Sequence, residues 1–379
     1  MRRYDLDWLR VFVFGLLIFY HVGMFFVPWD FHIKNNVIYE WITWPMLFLN
    51  QWRLPILFVI SGMGTWYALG KRSGWLFSWE RIKRLLLPLV FGMLIIIPPQ
   101  VYVERLAKGQ FVGGYFDFWP TLAFEGVYPT GNLSWHHLWF LPYLLAYSLL
   151  LAPLFVYFKN NPKNAYFSKL SRWIAEFSPR LLWFFLPFYF TYTIMREFFP
   201  VTHNFTNDWF TQINYLFFFI AGFSLAGVGS IFWENVQTHR RKLLLAGIVF
   251  FTVYILMNQL LEHTVVMHFI RNGFKVANIW LWILVCFGYA ARYLNRESAG
   301  LKYANESVYP FYILHQSVML VLCYWVMDWD LAFWAKASLL IFGTFLISLL
   351  FYELLIRRWK WVRPFFGLKN NLPNLKSVP

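Results

Sequence analysis

An arginine and a histidine inside one apolar run are the first residues with chemistry to offer. Arg10 and His21 lie within the stretch from Trp8 to Pro28, where ionisable side chains are costly and tend to mark function. Eleven residues at about 100° each come within about 20° of three full turns, so a helix sets both on one face, about 16 Å apart along its axis. Asp7 precedes Arg10 by three residues, a spacing that suits an ion pair. An imidazole titrates near neutral pH and can take a proton from a hydroxyl. In the plainer reading Arg10 snorkels to headgroups and His21 hydrogen-bonds a neighbouring helix. Arg53 sits mid-run, where it needs an anionic partner such as Glu40 or another carboxylate, or a wet cavity. Arg81 and Arg84 are one turn apart, with Lys83 between them, in a loop expected before the third apolar run. Two guanidinium groups at that spacing suit a phosphate, and they suit ordinary inner-surface charge equally well. His136 and His137 are adjacent, and His315 lies mid-run. One histidine pair without further spaced ligands does not define a zinc site, and the sequence gives no metal centre.

These residues need elements to carry them, and composition says which. Of 379 residues, 59% are hydrophobic and only 13% charged, against about 25% charged in a soluble domain. A bilayer, whose core demands helices of about 20 apolar residues, accounts for this. Ten runs qualify: 8–28, 37–69, 85–103, 135–158, 181–199, 210–231, 243–261, 276–294, 304–327 and 333–356. The expectation is an all-α polytopic membrane helical bundle with about ten transmembrane helices. With the N-terminus inside, alternate loops collect 24 of the 33 basic residues on the inner side, Lys71, Lys163 and Lys376 among them, and 7 on the outer. That asymmetry puts both termini in the cytoplasm. The net charge of +15 therefore reads as topology rather than as nucleic-acid binding. Residues 1–363 are expected to form a single transmembrane domain and 364–379 a short cytoplasmic tail. Cys286 and Cys323 both sit in apolar runs, which implies no disulfide framework. The outer loop 104–134 mixes aromatic residues with Asp117 and Glu125. Such a mixture suits either sugar rings or an interfacial aromatic belt.

Taken together, the motifs resemble the acyltransferase-3 family of integral membrane O-acyltransferases. Asp7-Trp8-Leu9-Arg10 followed by His21 resembles that family's first-helix signature. Arg53 with Phe58-Val59-Ile60-Ser61-Gly62, the Arg81/Arg84 pair, His137-Leu138-Trp139-Phe140-Leu141 and Tyr312-Ile313-Leu314-His315 resemble later landmarks, in order, over nearly the whole chain. Within the family the stretches Arg53 to Gly62, His137 to Leu141 and Tyr352-Glu353 are most similar to membrane glucan succinyltransferases. Leu141-Pro142-Tyr143 lacks an acidic run found in many members, and Gln316 stands where a second histidine is common.

The resemblance implies an enzyme of the bacterial inner membrane that takes an acyl group, acetyl or succinyl, from cytoplasmic acyl-coenzyme A. The acceptor is a hydroxyl of an extracytoplasmic or membrane-associated glycan. Arg81, Arg84 and Lys83 would hold the donor's phosphates. His21 would act as base or transient acyl carrier, with Arg10 on the same face. Arg53 would stabilise the oxyanion or orient a dicarboxylic acyl group. His137, His315, Asp7 and Trp139 would support them or bind the acceptor. No cofactor is expected to be bound permanently, and the acyl-coenzyme A is a substrate. The rival reading from intramembrane charge alone is a proton-coupled exporter using His21 and Arg53 as a relay.

Overall fold

A computed structural model of the chain describes residues 2–70, 72–161, 164–176 and 178–370. Lys71, Lys163 and Lys376 from the inner-side set, and the tail from residue 371 onward, lie outside the described residues. The described residues contain helices and no strand. In chain order they are α1 (Tyr4–Phe26), α2 (Thr43–Leu69), α3 (Gly74–Phe91), α4 (Pro98–Ala107), α5 (Tyr115–Phe118), α6 (Phe140–Leu150), α7 (Ala152–Asn160) and α8 (Ala165–Glu176). Then follow α9 (Leu186–Phe190), α10 (Arg196–Phe198), α11 (Trp209–Val228), α12 (Ser230–Leu260), α13 (Val265–Tyr293), α14 (Ala299–Val326) and α15 (Phe333–Phe351). The protein is an all-α polytopic membrane protein.

Among the described residues, eight helices are long and apolar enough to cross a bilayer, and a ninth crossing arises if α6 and α7, bent by 54°, count as one. The expected span at 181–199 is not a continuous helix. It is a 3-10 stretch (Ser178–Phe185), α9, a π-helical turn (Thr191–Met195) and α10 in succession. Pro179 and Pro187 remove amide donors from that segment, which disfavours one unbroken α-ladder. The third expected span starts earlier and ends later than 85–103. α3, a π-helical turn at Gly92–Ile96 and α4 run together from Gly74 to Ala107. Arg81, Lys83 and Arg84 are therefore helical, not loop, residues, and the loop expected from 104 begins only at Lys108.

The chain divides into two compact units. One comprises Met1–Val13, Phe48–Trp79 and Ala146–Leu301. Its α2 and α11 pack backbone to backbone: a Cβ on Gly62 would collide with the Phe219 carbonyl, and one on Gly222 with the Val59 carbonyl. This is the close approach that small residues permit in lipid, where packing rather than water exclusion drives helix association. Gln51 of α2 accepts a 2.7 Å bond from Asn278 of α13. Arg271 on α13 is buried and donates to the Met257, Leu261 and Glu262 carbonyls, satisfying the end of α12.

The other unit comprises Phe14–Leu47, Glu80–Leu145 and Lys302–Pro379. Here the loop 27–39 is fixed by two lysines. Lys34 donates to the Met24, Val27 and Trp29 carbonyls at the end of α1. Lys336 of α15, buried, donates to Asn35, Asn36 and the Met327 carbonyl. Burial holds Lys34 below the usual lysine range, at about 8, against the raising effect of Asp30. From α4, Arg105 donates to Asn132 and to the Pro129 and Gly131 carbonyls of the loop that follows. Outward-facing apolar residues such as Phe342, 72% exposed, and Leu346, 57% exposed, are what a lipid-facing helix requires.

Candidate active site

His21, His137 and His315 come from three segments far apart in sequence and meet in the second unit. His21 Nδ1 lies 2.9 Å from His315 Nε2. His315 Nδ1 lies 2.7 Å from the Tyr312 carbonyl. A carbonyl oxygen can only accept, so the His315 proton sits on Nδ1 and its Nε2 accepts from His21 Nδ1–H. The network therefore assigns the lone pair of a neutral His21 to Nε2. The two rings are nearly coplanar, 18° apart, and meet edge to edge with centroids 5.1 Å apart, while the Phe31 ring lies nearly parallel to that of His21 at 6.3 Å.

His137 is buried beside them, its ring centroid 5.1 Å from that of His315. Its Nε2–H donates to the Ile313 carbonyl (3.0 Å), which leaves Nδ1 to accept from Gln100 Nε2 (3.3 Å). Gln100 Nε2 also donates to Ser317 (2.8 Å), and its Oε1 accepts from Gln316 Nε2 (3.2 Å). Ser317 in turn donates to the Ile96 carbonyl at the close of the π-helical turn. That turn is used: the π geometry shifts the ladder before α4, where Gln100 points into the cluster.

One helix face holds the arrangement. Tyr309, Tyr312, His315 and Gln316 recur at helical spacing along α14. The Tyr309 hydroxyl donates to the Arg84 carbonyl (3.1 Å), and its ring stacks on Tyr312 at 6.1 Å. The Tyr312 hydroxyl donates to the His137 carbonyl (2.7 Å). A continuous run of contacts thus joins the Arg84 backbone to the histidines. Lys83 and Arg84 are exposed and Arg81 half-buried. Trp139 is buried, its ring edge-on to Tyr143.

Asp7, Arg10 and Arg53 belong to the first unit. Asp7 accepts from Arg10 at 3.2 Å and from Arg2 at 2.9 Å. Arg53 is buried, and its Nη2 donates to Asn50 at 3.4 Å. Its charge is felt by His203, which burial holds down at about 4, with Asp208 opposing and Arg53 adding to the depression. Asp208 itself caps α11 through Thr211. Glu40, one carboxylate considered for Arg53, is exposed.

The sequence profile of the acyltransferase-3 family, described as an acyltransferase domain, matches residues 3–353. The chain belongs to this family. It is therefore a multi-pass membrane acyltransferase, not the exporter that buried charge alone allowed. Among curated proteins it is similar to the glucans biosynthesis protein C of Escherichia coli O157:H7 (strain EC4115 / EHEC) and to that of Escherichia coli K12. Each is 26% identical over 332 residues, covering 84% of this chain and 82% of the relative. No solved structure matches.

Several residues of this acyltransferase escaped sequence reasoning. Gln100 and Ser317 carry no motif of their own. His32 and Glu104 stand in a loop and at a helix end, and only the fold makes them neighbours at 2.6 Å. The one available signal was Glu104, a carboxylate close to the end of an apolar run.

Proposed function

We propose that this acyltransferase moves an acyl group from cytoplasmic acyl-coenzyme A to a hydroxyl of an extracytoplasmic glycan, across a bacterial plasma membrane, with His21 as general base. The observation that carries this reading is the tautomer chain Tyr312 carbonyl–His315–His21, which makes His21 Nε2 the basic nitrogen. The acceptor hydroxyl gives its proton to that nitrogen as its oxygen attacks the thioester carbonyl. The tetrahedral intermediate then collapses with loss of the C–S bond, and the imidazolium returns the proton to the departing thiolate. Arg81, Arg84 and Lys83 bind the donor's phosphates through charge-assisted bonds. The relatives' name, glucans biosynthesis protein C, supports a glucan as the acceptor, and a succinyl or acetyl group is the cargo that the family resemblance implies.

The test is thiol release from acetyl- or succinyl-coenzyme A by purified protein in detergent, with and without added glucan. Glucan-dependent release is expected. His21→Ala should lower it by at least about a hundredfold at unchanged thermal stability, since a general base contributes roughly 10²–10⁴. His21→Gln should not restore it, because an amide cannot take the proton. Activity in the Gln variant near wild type would reduce His21 to a hydrogen-bonding residue. Replacing Arg81 and Arg84 together with Gln should raise the KM for the donor by about tenfold or more, given about 1.5–3 kcal/mol per charged bond. An unchanged KM would assign the pair to topology alone.

A further inference from the structure

Adjacent in sequence, His136 and His137 serve different neighbourhoods. While His137 joins His315, His136 turns to His32 and Glu104. One ligand atom from each of these three residues lies within 4.8 Å of the others. Glu104 is fully buried. Its Oε2 is 2.6 Å from His32 Nδ1. Its Oε1 accepts from Lys108 (2.5 Å) and from the Tyr128 hydroxyl (3.0 Å). Gln316 Nε2 donates to His32 Nε2 at 3.3 Å. His136 differs: its Nε2 is buried and has no hydrogen-bond partner. The residue also holds φ at +37°, a region that non-glycine residues occupy at a cost. The His136 ring stands edge-on to His32, centroids 4.6 Å apart, and to Tyr128, 4.7 Å.

An unpartnered buried imidazole nitrogen costs free energy, and here it belongs to a ring on strained backbone that lies beside an imidazole and a carboxylate. We infer that His32, Glu104 and His136 form a binding site for a divalent transition metal ion of the zinc class. Two imidazoles with one carboxylate suit zinc and disfavour magnesium or calcium, which prefer all-oxygen shells. Three protein ligands leave a position open to water or a small ligand, as in catalytic rather than structural zinc sites. The metal would take the place of the His32 Nδ1 proton beside Glu104; the imidazole would carry its proton on Nε2 instead, donating to Gln316 with its amide turned to present the oxygen. The metal would also give His136 Nε2 its missing partner. The anchors fit such a load: the His32 loop is tied by Lys34 and Lys336, and Glu104 sits near the end of α4. Lys108 is the competitor, a cation already on the same carboxylate, with its side chain 43% exposed.

The experiment is zinc titration of purified full-length protein stripped with chelator, reading metal content after desalting and the shift in melting temperature. Wild type should retain stoichiometric zinc and melt higher with it, and magnesium or calcium should do neither. His136→Ala should bind zinc at least about a hundredfold more weakly, beyond the range seen when only an outer-shell partner is lost. Lys108→Met should bind more tightly, since it removes the competing cation without touching a ligand. If His136→Ala fails to fold, Lys108→Met still decides the matter. Equal zinc retention by His136→Ala and wild type, or a Lys108→Met variant no tighter than wild type, would overturn the site.

Discussion

Two triads of side chains occupy the same unit, and they are built to opposite ends. His21, His315 and His137 contain no carboxylate, and each nitrogen with a named partner meets a carbonyl, an amide or another imidazole. The bonds His21–His315 and His315–Tyr312 carbonyl are those of neutral tautomers, which suits a base that takes a proton from a hydroxyl. His32, Glu104 and His136 are organised around a buried carboxylate already paired with a lysine. That arrangement holds fixed charge. Gln100 and Gln316 stand between the two, touching His137 on one side and His32 on the other. The difference shows that histidine count says little about role. What matters is which atom receives the hydrogen bond.

The comparison breaks most visibly at His315. His315→Ala removes the acceptor that orients His21, and acyl transfer should fall by about tenfold to a hundredfold, the scale seen when an orienting partner is lost. His315→Gln keeps a carbonyl oxygen for His21 Nδ1–H and should recover part of that loss. Equal, complete loss in both variants would mean that His315 itself exchanges protons with substrate, and the assignment of the base to His21 would need revision. A smaller effect is expected at Gln100. Gln100→Leu leaves His137 Nδ1 and Ser317 without a buried donor, at about 1–3 kcal/mol for each unsatisfied group. Melting temperature should drop while the transfer rate changes by less than about tenfold, because neither group touches the reacting atoms. A rate loss as large as that of His315→Ala would show that the two triads work as one.

Much of the scaffold was legible. Long apolar runs bounded by Lys and Arg specify membrane helices through the cost of burying charge in lipid, and the runs around His21, Arg53 and His315 all proved helical. The segment at 181–199 was misread because hydropathy counts apolar residues and not amide donors, which Pro179 and Pro187 withhold. Arg81 and Arg84 were placed in a loop because hydropathy marks only where the apolar run begins, whereas α3 already starts at Gly74. The meeting of His21 with His315 was beyond reach from one sequence, since their separation of 294 residues carries no local periodicity. Asp7 and Arg10, by contrast, were pairable from spacing alone.

Lys34 and Lys336 grip the loop 27–39 mainly through main-chain carbonyls and two asparagines. The path of that loop is therefore nearly independent of the side chains at Asp30 and Phe31, although the Phe31 ring faces that of His21. Positions 30 and 31 amount to an exchangeable lip on a fixed frame. A substitution at position 31 changes the ring that faces His21 while the lysine-held backbone keeps its path.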